Sequence, residues 1–131
     1  MGQEAVTADI SMAYNGTRLH PEHLKYQRYL WRDELLPQNP VKVMYVCTLI
    51  YGVKPSGQQT QVSLEKLAGH FKKQGKCLDG AAVLEKDTCV DDIITSTDSM
   101  QESIVIAQDI ETILARGSMG VKAFTFSKTA R

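Results

Sequence analysis

Asp91 and Asp92 are adjacent carboxylates in the stretch of this chain that is best suited to chemistry. Strand-forming residues flank them at 88–90 and 93–95, which predicts a β-hairpin with the carboxylates at its turn. Neighbouring aspartates repel each other and resist burial. A divalent cation relieves both effects, because Mg²⁺ is typically held by one or two carboxylates together with substrate phosphates. Since Asp is also common in turns for local reasons, the pair predicts a metal site only if another carboxylate joins it.

Asp9 is the candidate for that further carboxylate, near the end of a predicted first strand, Ala5 to Ile10. Tyr14 follows it five residues later. Taken alone, the two residues have a local interpretation as a helix N-cap and a core or surface aromatic. In combination with the acidic hairpin, they favour one shared site built from distant parts of the chain.

A second hairpin is predicted between the two acidic segments. Residues 26–32 alternate and are rich in aromatic side chains, and residues 41–51 form a longer alternating run with Val41, Val43, Tyr45, Cys47, Leu49 and Tyr51 on one face. Residues 35–40 carry two prolines and an asparagine and predict the turn that joins them. The two runs therefore predict an antiparallel pair of strands.

Two long helices complete the pattern. Ser56 with Gln59 predicts a capping box that opens the first, and Gly75 predicts its end. Ser99 with Glu102 predicts a second box, opening a helix that ends near Arg116. Residues 78–84 carry no decisive pattern, and residues 121–126 form a last strand. This order predicts an α+β, two-layer domain, with an antiparallel sheet and two main helices on one face.

Composition limits the class of protein. The 131 residues suit one domain with an adequate core. Lys plus Arg equal Asp plus Glu at 15 each, whereas self-sufficient nucleic-acid binders usually carry a basic surplus. The three cysteines have no metal-binding spacing, so we interpret them as reduced thiols, with Cys47 and Cys89 buried in strands. No apolar run suits a signal peptide or membrane span, so an intracellular setting, cytoplasmic or nuclear, without membrane contact is expected.

Several segments carry a family resemblance, and they occur in the family's order. They are Ala8-Asp9-Ile10, His20-Pro21-Glu22-His23, Tyr26-Gln27-Arg28-Tyr29-Leu30-Trp31-Arg32, Tyr51-Gly52-Val53-Lys54-Pro55-Ser56, Cys89-Val90-Asp91-Asp92, Ile113-Leu114-Ala115-Arg116-Gly117 and Val121-Lys122-Ala123-Phe124-Thr125-Phe126-Ser127. Together they resemble the palm of reverse transcriptases from Bel/Pao-type long-terminal-repeat retrotransposons. The resemblance covers nearly the whole chain and makes the predicted fold palm-like.

The resemblance implies an RNA-directed DNA polymerase, in which nucleotidyl transfer extends a primer 3′-hydroxyl. Its catalytic and metal-binding residues would be Asp9, Asp91 and Asp92, holding two Mg²⁺ ions, or Mn²⁺ in their place. Such metals lie about 3.5–4 Å apart, one activating the attacking oxygen and the other the leaving group. The implied partners are an RNA or DNA template-primer and a deoxynucleoside triphosphate.

Further site residues follow from the same resemblance. Nucleotide contacts are implied for the backbone at Ile10, for Tyr14 beneath the sugar, for Gly52 and for Lys122, which would protonate pyrophosphate. An ordinary strand-edge lysine is an equally good interpretation of Lys122. Contacts with nucleic acid are implied for Cys89, Ser56 and Gln59.

The chain departs from the family pattern at the residue before Val90-Asp91-Asp92, where Cys89 replaces an aromatic, and after Ser56, where Gly57-Gln58-Gln59-Thr60 replaces Pro and apolar residues. We expect residues 1–131 to be a palm fragment without fingers or thumb, the remaining polyprotein subdomains being absent and activity alone weak or lost. The alternative is a non-enzymatic palm remnant that serves at most as a nucleic-acid or protein interaction module. A nucleotide cyclase is disfavoured by Tyr14 and the 26–31 strand.

Overall fold

The structure, a computed structural model, describes residues 4–34 and 36–127. Its strands are β1 (Glu4–Ser11), β2 (Arg28–Trp31), β3 (Lys42–Tyr45), β4 (Thr88–Cys89), β5 (Asp92–Thr97) and β6 (Gly120–Phe126). Its helices are α1 (Ser56–Lys73), α2 (Leu78–Lys86) and α3 (Met100–Arg116), with a short 3-10 helix at Pro21–Tyr26. This is the predicted α+β, two-layer arrangement.

The main sheet has the strand order β4-β5-β1-β6, and every neighbouring pair is antiparallel. Side chains alternate along β1, where Val6 and Ile10 are buried while Ala5 and Thr7 are exposed. The buried residues belong to the face that the helices cover. The opposite face of the sheet is open, and it includes Ile94, which is 67% exposed.

The three helices share one apolar core on the covered face. Leu64 and Ala68 come from α1 at helical spacing, Leu84 comes from α2, and Ile110 and Ile113 come from α3, all of them fully buried. They pack against the covered side of β1 and β5. Hydrophobic burial from three helices therefore holds the strands that carry Asp9 and Asp92.

The two predicted capping boxes have opposite outcomes. The Ser99 side chain accepts a hydrogen bond from the Glu102 amide at 3.2 Å, which confirms Ser99 as the N-cap of α3. The Glu102 carboxylate accepts its hydrogen bond from the amide of Asp98, one residue before the N-cap, at 3.0 Å. The first box is wrong. Pro55 is the N-cap of α1, without a side-chain hydrogen bond, and Ser56 is already the first helical residue, 1% exposed.

The segment without a decisive pattern is α2. It runs from Leu78 to Lys86, and its N-cap Cys77 has left-handed backbone geometry with φ 49°. Gly80 allows α2 to approach α3 closely, because a Cβ there would lie 2.9 Å from the Ile110 nitrogen and closer still to Asp109 Cβ. An ion pair between Lys72 of α1 and Glu85 of α2 connects α1 with α2.

The predicted β2–β3 hairpin is present, but β3 is shorter than expected. It ends at Tyr45, and beyond it only Thr48 forms an isolated bridge, to Arg18. All eight residues of β2 and β3 are exposed, and the pair forms a sheet separate from the main one. Cys47 and Cys89 are exposed as well, so their predicted burial is wrong.

The predicted turn at 35–40 begins at Leu35, which lies outside the described residues. Across 4–34 and 36–127, no helix combines the length and apolar character that a membrane crossing requires.

Gly80 and Gly69 are a matched pair of helical glycines for testing the packing of the helices. Gly80→Ala should destabilise the protein by about 1–3 kcal/mol, because backbone atoms of α3 occupy the space of the new methyl group. Gly69→Ala in α1 should stabilise it by about 0.5–1 kcal/mol, because a Cβ there meets nothing within 4 Å. Urea denaturation of both variants measures the difference. Equal effects at the two positions would contradict the close approach of α2 to α3.

Candidate functional site

The strand register brings together carboxylates that are far apart in the sequence. Asp9 in β1 lies directly opposite Asp92 in β5, both on the open face of the sheet. Opposite residues in an antiparallel pair have Cβ atoms about 4.5–5.5 Å apart. The predicted proximity of these two carboxylates is therefore present, and it places like charges next to each other.

Asp91 lies on the turn between β4 and β5, which is fixed from two sides. The Ile10 amide donates a hydrogen bond to the Asp91 carbonyl at 2.7 Å. The Val90 amide donates to Gln61 Oε1 of α1 at 3.3 Å. Val90 has φ 60°, a left-handed geometry that is rare for a β-branched residue, so these contacts hold the turn in an uncommon shape. Gln61 carries no sequence signal for this role.

A β-bulge faces Asp9 from the other neighbouring strand. In the register of β1 with β6, Ala8 pairs with Phe124 but Ile10 pairs with Val121, so two residues of β6 stand opposite Asp9 alone. Bulges re-aim side chains and are frequent beside active sites. A regular register would instead set Lys122 opposite the buried Ile10. The bulge therefore allows Lys122 to reach the open face.

Lys122 uses that position to neutralise Asp9. Its Nζ lies 2.9 Å from Asp9 Oδ1, with the two side chains 65% and 42% exposed respectively. Oδ1 itself is shielded from solvent although the carboxylate as a whole is accessible. The bond to Asp9 and its charge raise the pKa of Lys122, with smaller contributions from Tyr51 and Asp91. A positive charge thus lies among the acidic groups of the site.

Aromatic residues and the start of α1 form the side of the site near Tyr14. The Tyr14 and Tyr51 rings pack with centroids 4.3 Å apart, tilted by 48°. A Cβ on Gly57 would lie 3.6 Å from the Tyr14 hydroxyl and 3.7 Å from Val90, so α1 begins beside both. Gly52, next to Tyr51, has φ 82° and nothing within 4 Å of a Cβ position. The positive φ, not a close neighbour, therefore explains why a glycine occupies position 52.

Other predicted site residues lie where their suggested contacts are harder to make. The Ile10 amide is already bonded to Asp91, and its side chain is buried. Ser56 is buried with its hydroxyl facing away from solvent, so a nucleic-acid contact through that side chain does not fit this structure. Gln59 is exposed on the first turn of α1. Cys89 is exposed and pairs with Asp92 in the β4–β5 register.

The donor chemistry of Asp9, Asp91 and Asp92 fits a hard cation such as Mg²⁺, which takes oxygen ligands and often uses only one or two carboxylates. Their arrangement is not a complete cage. Within residues 4–34 and 36–127, no three His, Cys, Asp or Glu side chains are grouped so that they could hold a metal ion. Two carboxylates facing each other across β1 and β5 are the part of a cation site that the described geometry supplies.

Comparison with known proteins adds no assignment: no model of a protein family and no curated protein matches this chain.

The repulsion between Asp9 and Asp92 leads to a testable change in stability. Asp92→Asn should stabilise the protein by about 0.2–1 kcal/mol at low salt, because it removes one of two like charges directly opposite each other. The gain should shrink in 1 M NaCl, where the Debye length is about 3 Å. Thermal denaturation at both salt concentrations measures it. A loss of stability at low salt would contradict the repulsive pairing.

Proposed function

We propose that this chain is a reverse transcriptase palm of the Bel/Pao retrotransposon type, which supports RNA-directed nucleotidyl transfer to a primer 3′-hydroxyl. The observation that carries the proposal is the meeting of Asp9 with the Asp91–Asp92 turn at one end of the open sheet face. These carboxylates are separated by more than half of the chain. Their convergence supports the proposal, because two-metal nucleotidyl transfer needs separated carboxylates to be brought together to hold the cations.

The position of these residues in the fold supports the same assignment. β1 carries the first aspartate, the β4–β5 hairpin brings the acidic pair, and β6 carries Lys122. All the catalytic candidates belong to strands or turns of one sheet, with the helices behind them.

Each acidic residue has a distinct place in the proposed reaction. Asp9 and Asp91 would hold the cations, and Asp92, opposite Asp9, would add negative charge that attracts them. Bound Mg²⁺ or Mn²⁺ would supply activation of the primer hydroxyl and stabilisation of the leaving pyrophosphate. Lys122 would then be placed to give a proton to that leaving group, because its ammonium already lies beside Asp9.

Tyr14 is the proposed determinant of the sugar. Its ring is supported by Tyr51 and lies close to the start of α1, so its position is restricted from two sides. A restricted aromatic beneath the nucleotide would collide with a 2′-hydroxyl and so favour deoxynucleotides. Since the Ile10 amide is occupied, triphosphate contacts would come from the backbone after β1, at Met12 and Ala13.

A second candidate is a palm-like domain that folds and binds without catalysing transfer. The observation in its favour is the Asp9–Lys122 ion pair, because it neutralises a catalytic carboxylate without any metal. Cys89, in the place of an aromatic that would support the primer end, points the same way. Such a domain would act at most as a nucleic-acid or protein interaction module.

Primer extension on an RNA template in Mn²⁺ separates the two candidates. The parent chain should extend the primer weakly, as expected for a palm on its own, whereas Asp9→Asn and Asp91→Asn should each reduce extension to background, because each removes a proposed cation ligand. Glu111→Gln, an exposed change on α3, is the matched control and should retain the parent rate. A folded parent that extends no primer would favour the non-catalytic candidate.

Substitution of Tyr14 tests the proposed sugar selectivity. Tyr14→Ala should raise incorporation of ribonucleotides relative to deoxynucleotides by about tenfold or more, corresponding to about 1.4 kcal/mol or more of lost discrimination. Tyr14→Phe keeps the ring and should retain the parent preference. The measurement is the ratio of kcat/KM for the two nucleotides. An unchanged ratio in Tyr14→Ala would remove Tyr14 from this role.

A further inference from the structure

Lys122 occupies a position that only an irregular strand provides. Val121 and Phe124 both pack toward the core although they are three residues apart, which a regular strand does not permit. The bulge between Ala8 and Ile10 in the β1–β6 register resolves this, and it leaves Lys122 and Ala123 exposed opposite Asp9. The packing of β6 against the core therefore places the Lys122 ammonium next to Asp9.

The ion pair takes up an oxygen that a cation would otherwise use. Nζ of Lys122 lies 2.9 Å from Asp9 Oδ1, and that oxygen is shielded from solvent. A Mg²⁺ ion approaches its oxygen ligands to about 2.0–2.1 Å. A cation on Asp9 would thus lie close to the ammonium, and the two positive charges would repel each other.

We propose that Lys122 is an internal counter-cation of the acidic site, which competes with divalent cations for Asp9 and must be released when one binds. The inference rests on the proposed function, because it concerns the same carboxylates. It adds a role for Lys122 before any metal binds, which is to hold the Asp9 carboxylate in position through the ion pair. It also explains how Asp9 and Asp92 remain opposite each other without a bound metal.

Mn²⁺ binding to the full chain, followed by electron paramagnetic resonance at low ionic strength, tests the competition. Lys122→Met should bind Mn²⁺ about two- to fivefold more tightly than the parent, a range that matches the coupling of exposed ion pairs. Lys122→Arg keeps the charge and should bind like the parent. Lys66→Met, which removes an exposed lysine in the middle of α1, controls for net charge and should also bind like the parent.

Chemical acetylation of lysines, read by mass spectrometry, gives a second measurement that does not depend on catalysis. Without metal, Lys122 should be acetylated faster in the Asp9→Asn variant than in the parent, because the ion pair is lost. Adding Mg²⁺ to the parent should raise the rate at Lys122 and leave Lys66 unchanged. Circular dichroism establishes that every variant is folded.

The outcomes separate the inference from the proposed function. If the parent binds Mn²⁺ and Lys122→Met binds it no more tightly, the competition is wrong while the metal site stands. If neither protein binds Mn²⁺, both the metal site and the competition are wrong. Equal acetylation of Lys122 in the parent, with and without Mg²⁺, and in Asp9→Asn would also overturn the inference.

Discussion

The structure of the site depends on one constraint, the antiparallel register that sets Asp9 opposite Asp92. Two like charges at that spacing oppose the strand pairing that creates them, so the pairing must be stabilised from elsewhere. Burial of Val6 and Ile93 on the other face supplies part of that stabilisation. The Asp9–Lys122 ion pair supplies charge compensation on the open face itself. The acidic site is thus built on a sheet that is stabilised mainly through its covered side.

The covered side explains why the turn with Asp91 has a defined place. Gln61 accepts a hydrogen bond from Val90, and Gln61 belongs to a helix whose next turn contributes the buried Leu64. Burial of its hydrophobic face therefore holds α1 against the core, and the Gln61 side chain of α1 holds the β4–β5 turn in place. These contacts are needed because Val90 is a β-branched residue with left-handed backbone geometry, which would relax if the surrounding structure did not hold it. Geometry at the site follows from packing behind it.

The sequence predicted the elements whose patterns are long or capped, and it failed where tertiary contacts decide. The acidic hairpin, β1, β6 and the Ser99 cap are confirmed because alternation and capping are local properties. The run 41–51 alternates well, yet the strand ends at Tyr45, and the chain beyond it turns so that Leu49 reaches the core. The sequence did not predict α2, because this helix is short and contains Gly80. The close approach to α3 that requires a glycine there is a tertiary contact.

The candidate site divides in the same way. Asp9, Asp91 and Asp92 could be proposed as candidates from residue type and order, but the contact of Lys122 with Asp9 could not be predicted, because it depends on the bulge in β6. That bulge has a packing origin, since Val121 and Phe124 can both face the core only if one residue is added between them. The same irregularity carries Lys122 to the acidic face. Core packing and site charge are therefore coupled in β6, and a substitution that restored a regular strand would disturb both together.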